Sequence, residues 1–241
     1  MFKIKIFPVV WFKSPQKGRL LYSYYNVSEI KHFILMKRLQ HPTTVINLYN
    51  SEDDLFANVK KGVRNEIRRA SKEGIQFSVL EDKFCGLRTH NQYSIENGLG
   101  AVSISRYINH PDILVTVASL DSVKIAVHGY IFSKDKKIIR LLFSSTIGPD
   151  HGVCRNTIGW ANKGLHWHDI KHSKAVGFSS YDLGGVPNDS DLSEKIIRIN
   201  RLKKSFGGEE STNQNYIGYF AYAIHLMSQL GGRIRNFVLK G

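Results

Sequence analysis

Two short motifs in the last third of the chain combine charged side chains with paired glycines. In the first, Asp182 ends an apolar run and is followed by Gly184 and Gly185. Glycine permits backbone turns that other residues resist, so such a strand delivers its last side chains to the rim of a sheet. Ligands of α/β proteins gather at strand ends, where a carboxylate can accept a proton or secure the glycine turn. Both roles stay open for Asp182.

The second motif closes a basic helix. Apolar residues recur near helical spacing from Ile196 to Leu202, with lysines and arginines between them, and Lys203 follows directly. The segment then stops at Phe206-Gly207-Gly208. A strand, a glycine turn and a basic helix closed by glycines therefore form one unit, and the rest of the chain must position it.

This unit resembles the signature of Fem-type transferases, a branch of the GNAT acyltransferase superfamily. That family carries a tyrosine, an aspartate, an aromatic residue and two glycines, then a lysine just ahead of a phenylalanine and two glycines. The matching residues here are Tyr181, Asp182, Gly184, Gly185, Lys203 or Lys204, Phe206, Gly207 and Gly208. Leu183 and Leu202 stand where the family more often has aromatic residues. The resemblance covers roughly residues 51–208.

A second basic helix is predicted between Ser51 and Gly74. Ser51 can cap it, acidic residues follow at the positive end of the helix dipole, and an apolar stripe marks the buried face. The opposite face carries six cations against one carboxylate, Glu66. Its residue order is similar to that of a helix in the Fem-like pattern. For Arg64 and Arg68, one turn apart on this face, phosphate binding and simple solvation both stay open.

The order of predicted elements between these motifs indicates an α/β fold. A strand over residues 75–80 and helices over 84–96 and 103–108 lead to three strands over 113–120, 123–132 and 137–145. A helix over 154–172 and a strand from Ala175 follow, which makes a parallel, right-handed crossover. This order is similar to the GNAT core. We therefore expect a GNAT fold, with a central mixed sheet flanked by helices.

The first fifty residues are predicted to hold strands over 3–12, 18–25 and 43–48 and a helix over 29–39. The resemblance implies that this region faces the acceptor, which makes Tyr24 and Tyr25 candidates for substrate binding; half-buried packing is the alternative. A short strand and a helix are predicted over 216–230. Because no internal repeat or low-complexity linker interrupts the chain, a single domain spanning residues 1–241 is expected.

Composition indicates a globular protein with an anionic partner. The chain is 42% hydrophobic, as globular proteins are, but its net charge is +14. Such a charge favours nucleic acid, a nucleotide-linked metabolite, coenzyme A or a membrane surface, although general solubility also accounts for it. Cys85 and Cys154 lie far apart without metal-type spacing, which is typical of reduced thiols. Without a visible secretory signal or membrane span, a soluble, cytoplasmic protein is predicted.

The resemblance also implies a donor site. In GNAT proteins the strand before the central helix splays from the strand after it, and coenzyme A lies in the gap. The corresponding candidates are Phe143, Ser144, Ser145, Thr146, Phe178 and, at the start of the helix, Arg155. The loop before this helix lacks the full glycine-rich pyrophosphate signature, as Fem-like branches do, and it contains His151, a second candidate base. No metal is expected, since His166, His168 and His172 have no matching carboxylate or cysteine cluster.

The resemblance implies an N-acyltransferase that uses acyl-CoA. Related single-domain enzymes acylate nucleotide-linked amino sugars in surface polysaccharide (O-antigen, capsule or lipopolysaccharide) biosynthesis, so we expect such an acceptor here. The acceptor's diphosphate suits Arg64, Arg68 and Lys203, with Tyr181 beside them. Full Fem ligases have two such domains, often with a coiled-coil arm for tRNA, whereas this chain shows no heptads. A tRNA-dependent transferase acting on a peptidoglycan precursor remains an alternative. A non-catalytic nucleic-acid-binding protein is another, although no recognition helix is evident. The acyl group, the sugar and a homodimeric state stay open.

Overall fold

The computed structural model describes residues 8–16, 19–28, 30, 32–98, 100–148, 151–186, 194–224 and 227. The chain forms two compact units. The first takes its residues from 1–43 and 211–241, and the second spans Thr44–Glu210. Every element of the Fem-like motifs belongs to the second unit.

The first unit is built on strands β1 (Val9–Trp11) and β2 (Ser23–Val27), with parts of β3 (Met36–Asn47) and β9 (Glu209–Gly218). β1 pairs with β2 in parallel, and β2 pairs with β9 in antiparallel orientation. Among the described residues of this unit, the side chains of Tyr24, Val27, Met36 and Tyr216 form a buried cluster. Residues 3–7 of the first predicted strand lie outside the described residues.

The helix predicted over residues 29–39 is not present. Described residues 30 and 32–35 are irregular or in a turn, and residues 36–39 belong to β3. Met36 packs against Tyr24 and Tyr216 in the core of the first unit. Pairing within a sheet and burial of this side chain outweigh a helical spacing of apolar residues, because local propensity is a weak determinant next to tertiary packing.

The second unit contains a mixed sheet with strand order β3-β8-β7-β6-β5-β4. Its remaining elements are α1 (Glu52–Asn58), α2 (Lys61–Lys72), β4 (Gln76–Val79), α3 (Lys83–Glu96), α4 (Ile104–Tyr107), β5 (Ile113–Leu120), β6 (Val123–Ser133), β7 (Ile138–Thr146), α5 (Arg155–Ala175), β8 (Ser180–Gly185) and α6 (Glu194–Lys204). Strands β4 to β7 form an antiparallel meander, and β7 pairs with β8 in parallel across α5. The predicted fold class, mixed α/β with helices flanking a mixed sheet, is confirmed.

The basic helix predicted between Ser51 and Gly74 is two helices. Ser51 does cap the first, since its Oγ accepts a hydrogen bond from the Asp54 amide at 3.1 Å. The chain then becomes extended at Val59, whose side chain is buried in the core. Burial of Val59 therefore breaks the helical path before α2 begins.

Helices α3 and α5 cover opposite faces of the sheet. His128 and Gly129 are neighbours in β6, so they face opposite sides. The ring of His128 contacts Asn162 and Asp169 of α5. Gly129 instead lies under the ring of Phe143, which stacks on His90 of α3 with ring centroids 4.1 Å apart. Any site that passes between the strands can therefore be reached by side chains from both helices.

The Phe206-Gly207-Gly208 motif fastens the end of α6 to the junction between α1 and α2. The Lys60 amide donates a hydrogen bond to the Ser205 carbonyl at 2.9 Å. Gly207 has a φ of +79°, and a Cβ at this position would lie 2.6 Å from the carbonyl oxygen of Asn58. Only glycine combines this backbone conformation with so close an approach.

We therefore expect Gly207→Ala to lower the free energy of unfolding by about 2 kcal/mol or more, because strain at positive φ adds to a steric clash. The matched control is Gly62→Ala in α2, where a Cβ meets nothing within 4 Å. That change should be neutral or stabilising by up to about 1 kcal/mol. Urea denaturation of both variants measures the difference, and equal effects would contradict the proposed contact.

Candidate active site

The candidate site is a cavity between two neighbouring strands, β7 and β8, that diverge from each other. β7 and β8 pair only at Ile138 with Ser180, Ile139 with Tyr181 and Arg140 with Asp182. Beyond these pairs a cavity of about 560 Å³ lies between residues 141–146 of β7 and residues 183–185 of β8. The pairing register of β6 and β7 shifts where Tyr130 faces Leu141 and Gly129 faces Phe143, so Leu142 is an extra residue in β7. Such a bulge interrupts the strand ladder and redirects the backbone beside the cavity.

Side chains from three helices complete the cavity. Tyr93 and Asn97 come from the α3 side, and Asn162 and His166 come from α5. Helix α6 contributes two cations, Arg198 and Lys203, together with apolar residues. Among the described residues that line the cavity there is no aspartate or glutamate. Its electrostatic character therefore favours an anionic ligand.

A buried ion pair marks the point at which the strands part. Arg140 and Asp182 occupy the last register pair, and their guanidinium and carboxylate groups form an ion pair with 7% and 3% of the side chains exposed. The Asp182 Oδ1 atom also accepts a hydrogen bond from the Gly184 amide at 2.8 Å. Gly184 has a φ of +80°, and a Cβ there would lie 2.9 Å from the Leu141 carbonyl oxygen. Asp182 thus joins the two strands and secures the glycine turn.

Lys203 lies inside the cavity with its ammonium group close to the end of β8. Its Nζ atom donates a hydrogen bond to the Gly185 carbonyl at 2.7 Å. Burial, together with the positive charge of Arg140, lowers the pKa of Lys203 to about 8, although Asp182 acts in the opposite direction. Lys203 therefore loses its positive charge as the pH rises through about 8, which is within the range of solution experiments.

A polar network lies behind the α5 side of the cavity. The Asp169 carboxylate accepts hydrogen bonds from Thr116 at 3.0 Å and from Tyr130 at 2.5 Å, and it contacts Nδ1 of His128 at 2.9 Å. Burial alone would raise the pKa of Asp169, but hydrogen bonds from its partners outweigh burial and hold that pKa well below its usual value. Nε2 of His128 reaches Asn162 at 2.9 Å, so the network ends at the cavity wall.

His166 stands between this network and the cavity. Its side chain is 3% exposed and lines the cavity. Its ring packs against those of His128 and Phe206, with centroids 4.2 and 5.2 Å away. Burial, with a contribution from His128, lowers the pKa of His166 well below its usual value. In the sequence, His166 is considered only as a metal ligand, and no metal site is predicted. The spacing of residues along a helix does not reveal which of its turns faces a cavity, so the position of His166 could not be foreseen.

A second histidine contacts the cavity wall from α3. The Nδ1 atom of His90 lies 2.9 Å from Oγ of Ser145, and its Nε2 atom lies 3.4 Å from Oγ of Ser94. Burial and the nearby His128 lower the pKa of His90 to about 4. A neutral His90 ring can therefore orient the Ser145 hydroxyl at the edge of the cavity.

The predicted donor residues divide into two groups. Phe143, Ser144, Ser145 and Thr146 line the cavity, as does Lys203 from the acceptor set. The other two predicted donor residues, and the candidate base His151, are not among the described residues that line it. Phe178 packs on Phe132 ahead of β8, with ring centroids 5.6 Å apart, and Arg155 is exposed at the first position of α5. His151 lies near Glu96, with Nε2 and the carboxylate 3.1 Å apart, and is partly exposed.

The predicted acceptor residues are mostly engaged in local structure. Arg64 donates hydrogen bonds to the carbonyls of Ala57 and Val59, both at 2.6 Å, so it closes the end of α1. Arg68 remains exposed and lies over the Phe56 ring at 5.1 Å. The side chain of Tyr181 is fully buried, and its hydroxyl lies 2.7 Å from that of Tyr130.

The two candidate tyrosines of β2 belong to the first unit. Tyr24 is buried in the core of that unit, where its hydroxyl accepts a hydrogen bond from the Gln16 amide at 3.4 Å. Tyr25 is half-buried and stacks on Trp11, with ring centroids 4.9 Å apart. Of the two, Tyr25 has the greater exposed surface.

Three other observations concern metal ligands, membrane spans and cysteines. His168 contacts Asp169 at 3.2 Å and stacks with His172, and the described residues contain no group of three metal-type ligands. Within the same part of the chain, none of the helices has the length and apolar character that crossing a bilayer requires. Both described cysteines, Cys85 and Cys154, are free thiols.

Comparison with known proteins identifies the fold. The sequence matches no protein-family model and no curated protein. Among solved structures, FemX superposes with a TM-score of 0.59 at 14% identity, over 77% of this chain and 63% of FemX. L-PGS from Bacillus licheniformis superposes with a TM-score of 0.57 at 14% identity, over 90% of this chain and 74% of that protein.

A third similar structure is the C-terminal domain of a protein described as a lysylphosphatidylglycerol synthetase, from Agrobacterium fabrum. Its TM-score is 0.53 at 14% identity, over 84% of this chain and 71% of that domain. The chain spans less than two thirds of the length of FemX. At these identities the likeness establishes a shared fold, and it confirms the predicted resemblance to Fem-type, GNAT-like proteins at that level.

The Arg140–Asp182 pair generates a prediction about stability. Asp182→Asn keeps the side-chain shape but leaves the buried Arg140 guanidinium without its counter-charge. Because an unpaired buried charge is costly, the free energy of unfolding should fall by about 3 to 5 kcal/mol. The control is Glu66→Gln, which breaks a partly exposed pair with Lys163 and should cost about 1 kcal/mol or less. Denaturation curves that are superimposable for the two variants would show that the Arg140–Asp182 pair has no structural role.

Proposed function

We propose that the protein is an N-acyltransferase that binds an acyl thioester in the cavity between β7 and β8. The observation that carries this proposal is the parting of these parallel strands after Arg140 and Asp182. An extended donor arm fits a gap between strands, because the backbone edges there lack strand partners and can bind its amide groups. The fold shared with FemX supports the same class of reaction.

The geometry suits stabilisation of the charge that develops on the thioester oxygen. Alternate residues of a strand direct their backbone groups toward the same edge, so alternate residues within 142–146 of β7 offer their amides to the cavity. The bulge at Leu142 and the Ser145 hydroxyl lie on the same stretch. Preorganised donors of this kind lower the barrier, since they need no reorientation as the oxyanion forms.

Acyl-CoA is the donor that we propose, with a nucleotide-linked amino sugar as the acceptor in surface polysaccharide biosynthesis. Both substrates carry phosphates, which suit a cavity lined by Arg198 and Lys203 without a carboxylate among its described residues. Arg68 is an additional exposed cation for the acceptor, whereas Arg64 already serves the end of α1.

Asp182 acts in this proposal as a positioning residue. Its carboxylate already pairs with Arg140 and accepts the Gly184 amide, so it holds the strands at the point where they part. His151 contacts Glu96 and does not line the cavity. The proton of the attacking amine therefore requires another acceptor, or a chain of water molecules.

A second candidate function is transfer of an aminoacyl group from tRNA. The structures that resemble this chain include FemX and L-PGS, and the net charge of +14 suits a polyanionic donor. The same cavity and oxyanion donors would serve an aminoacyl ester. The two functions differ in the donor, and they can be separated by a direct assay.

The donor assay gives a clear expected outcome. Purified protein should release free thiol from an acyl-CoA when an amino-sugar nucleotide is added, and treatment with RNase should leave the rate unchanged. A thiol-reactive dye follows the release continuously. Ser144→Trp, which fills the cavity, should abolish the reaction. Activity that requires charged tRNA and disappears after RNase treatment would assign the second candidate function instead.

The pKa of Lys203 predicts how the affinity for the donor depends on pH. An anionic ligand favours the charged form of Lys203, so affinity for coenzyme A should fall as the pH rises through about 8. From pH 7 to pH 9 the charged fraction falls about tenfold, and the dissociation constant measured by calorimetry should rise by a similar factor. Lys203→Arg keeps its charge throughout this range and should remove the dependence. An unchanged pH dependence in that variant would show that another group is responsible.

A further inference from the structure

The cavity wall contains a buried polar atom that has no hydrogen-bond partner. Within the part of the chain that the structure describes, Nδ1 of His166 forms no hydrogen bond, although the side chain is 3% exposed. Leaving such an atom unpaired costs about 1 to 3 kcal/mol, and folded proteins rarely do so. The side chain that carries this unpaired atom lines the cavity, so its ring borders the space that a bound ligand would occupy.

The ring of His166 is held in place from two sides. His128 packs against it from β6, and Phe206 packs against it from the turn that follows α6. His128 is itself fixed by Asp169 and Asn162, at 2.9 Å from each. The ring thus has a defined position before any ligand binds, which is the condition for catalysis by a positioned group.

The charges around His166 keep its ring neutral. The titratable groups near it are His128 of β6, Asp169 of its own helix and Lys203 of α6. Burial is the largest influence on the pKa of His166, and electrostatic interactions with His128 and Lys203 lower it further, against the opposing effect of Asp169. A neutral imidazole has one nitrogen with a free lone pair and can therefore accept a proton.

We propose that His166 is a catalytic residue of this transferase and that its imidazole ring accepts the proton that the acceptor amine loses. This inference rests on the proposed function, and it names the proton route that the function requires. The other ionisable side chains of the cavity are less suitable. Lys203 is a cation below pH 8, and the pKa of Tyr93 is raised by burial and by Glu96.

The step balances without an additional reactant. The amine nitrogen attacks the thioester carbon, the new C–N bond forms, and the C–S bond breaks to release the thiolate. The nitrogen becomes more acidic as it bonds to carbon, so it can transfer one proton to the neutral imidazole. His166 then transfers that proton to the departing thiolate. Its low proton affinity favours this second transfer, and the ring returns to its initial state.

The test compares ring substitutions on the same helix. His166→Phe keeps the ring but removes the unpaired nitrogen, so the melting temperature should stay the same or rise. Turnover should nevertheless fall by about two to four powers of ten, the range expected for a lost general base. His166→Gln keeps a polar group that cannot take up the proton, and it should lose turnover similarly. The control, His172→Phe, changes a half-buried residue that does not line the cavity and should retain full turnover.

Kinetics and binding separate the outcomes. The KM for the acceptor should change by less than about tenfold in both His166 variants, and coenzyme A should still bind to them, because the loss lies in the proton transfer. If wild-type protein is active and His166→Phe turns over at the same rate, the inference is wrong while the proposed function stands. If wild-type protein releases no thiol with any amine, the proposed function fails and the inference fails with it.

Discussion

The candidate site depends on the ion pair between Arg140 and Asp182. These residues form the last register pair of β7 and β8, and the cavity begins immediately beyond them. The pair brings two opposite charges together where both are buried, which is the condition under which such charges are tolerated in a protein core. Asp182 also holds the Gly184 amide, so the same carboxylate joins the strands and turns the end of β8 away.

The other polar groups of the second unit are arranged around this opening. On the α5 side, Asp169 anchors His128, and His128 supports the ring of His166 at the cavity. On the α3 side, His90 contacts the Ser145 hydroxyl on β7. An acyl transfer needs a stabilised oxyanion and a route for one proton, and these two groups meet the cavity from opposite faces of the sheet. In our proposal, oxyanion stabilisation and proton transfer are carried out by groups on opposite faces of the sheet. The gap between β7 and β8 lets both groups reach the same substrate.

Much of this fold could be predicted from the sequence, because the strand, glycine turn and basic helix leave a clear local pattern. Roles that depend on distant contacts could not. Arg64 has the spacing of a surface cation, but the break at Val59 brings it to the end of α1. Asp182 resembles a catalytic carboxylate until its partner Arg140, 42 residues away, is known. His166 has no distinguishing neighbours in sequence, since the cavity that its side chain lines is formed largely by β7, β8 and α6.

Hydrogen–deuterium exchange with and without coenzyme A tests the central claim, that the donor lies between the parted strands, most directly. Residues 141–146 and 183–185 line the cavity, so the ligand should slow the exchange of amides in these two segments. Amides of β5 in the same sheet, which pair with neighbouring strands on both sides, serve as the internal reference and should not change. Protection confined to other regions of the chain, with no effect on these two segments, would contradict a donor site between β7 and β8.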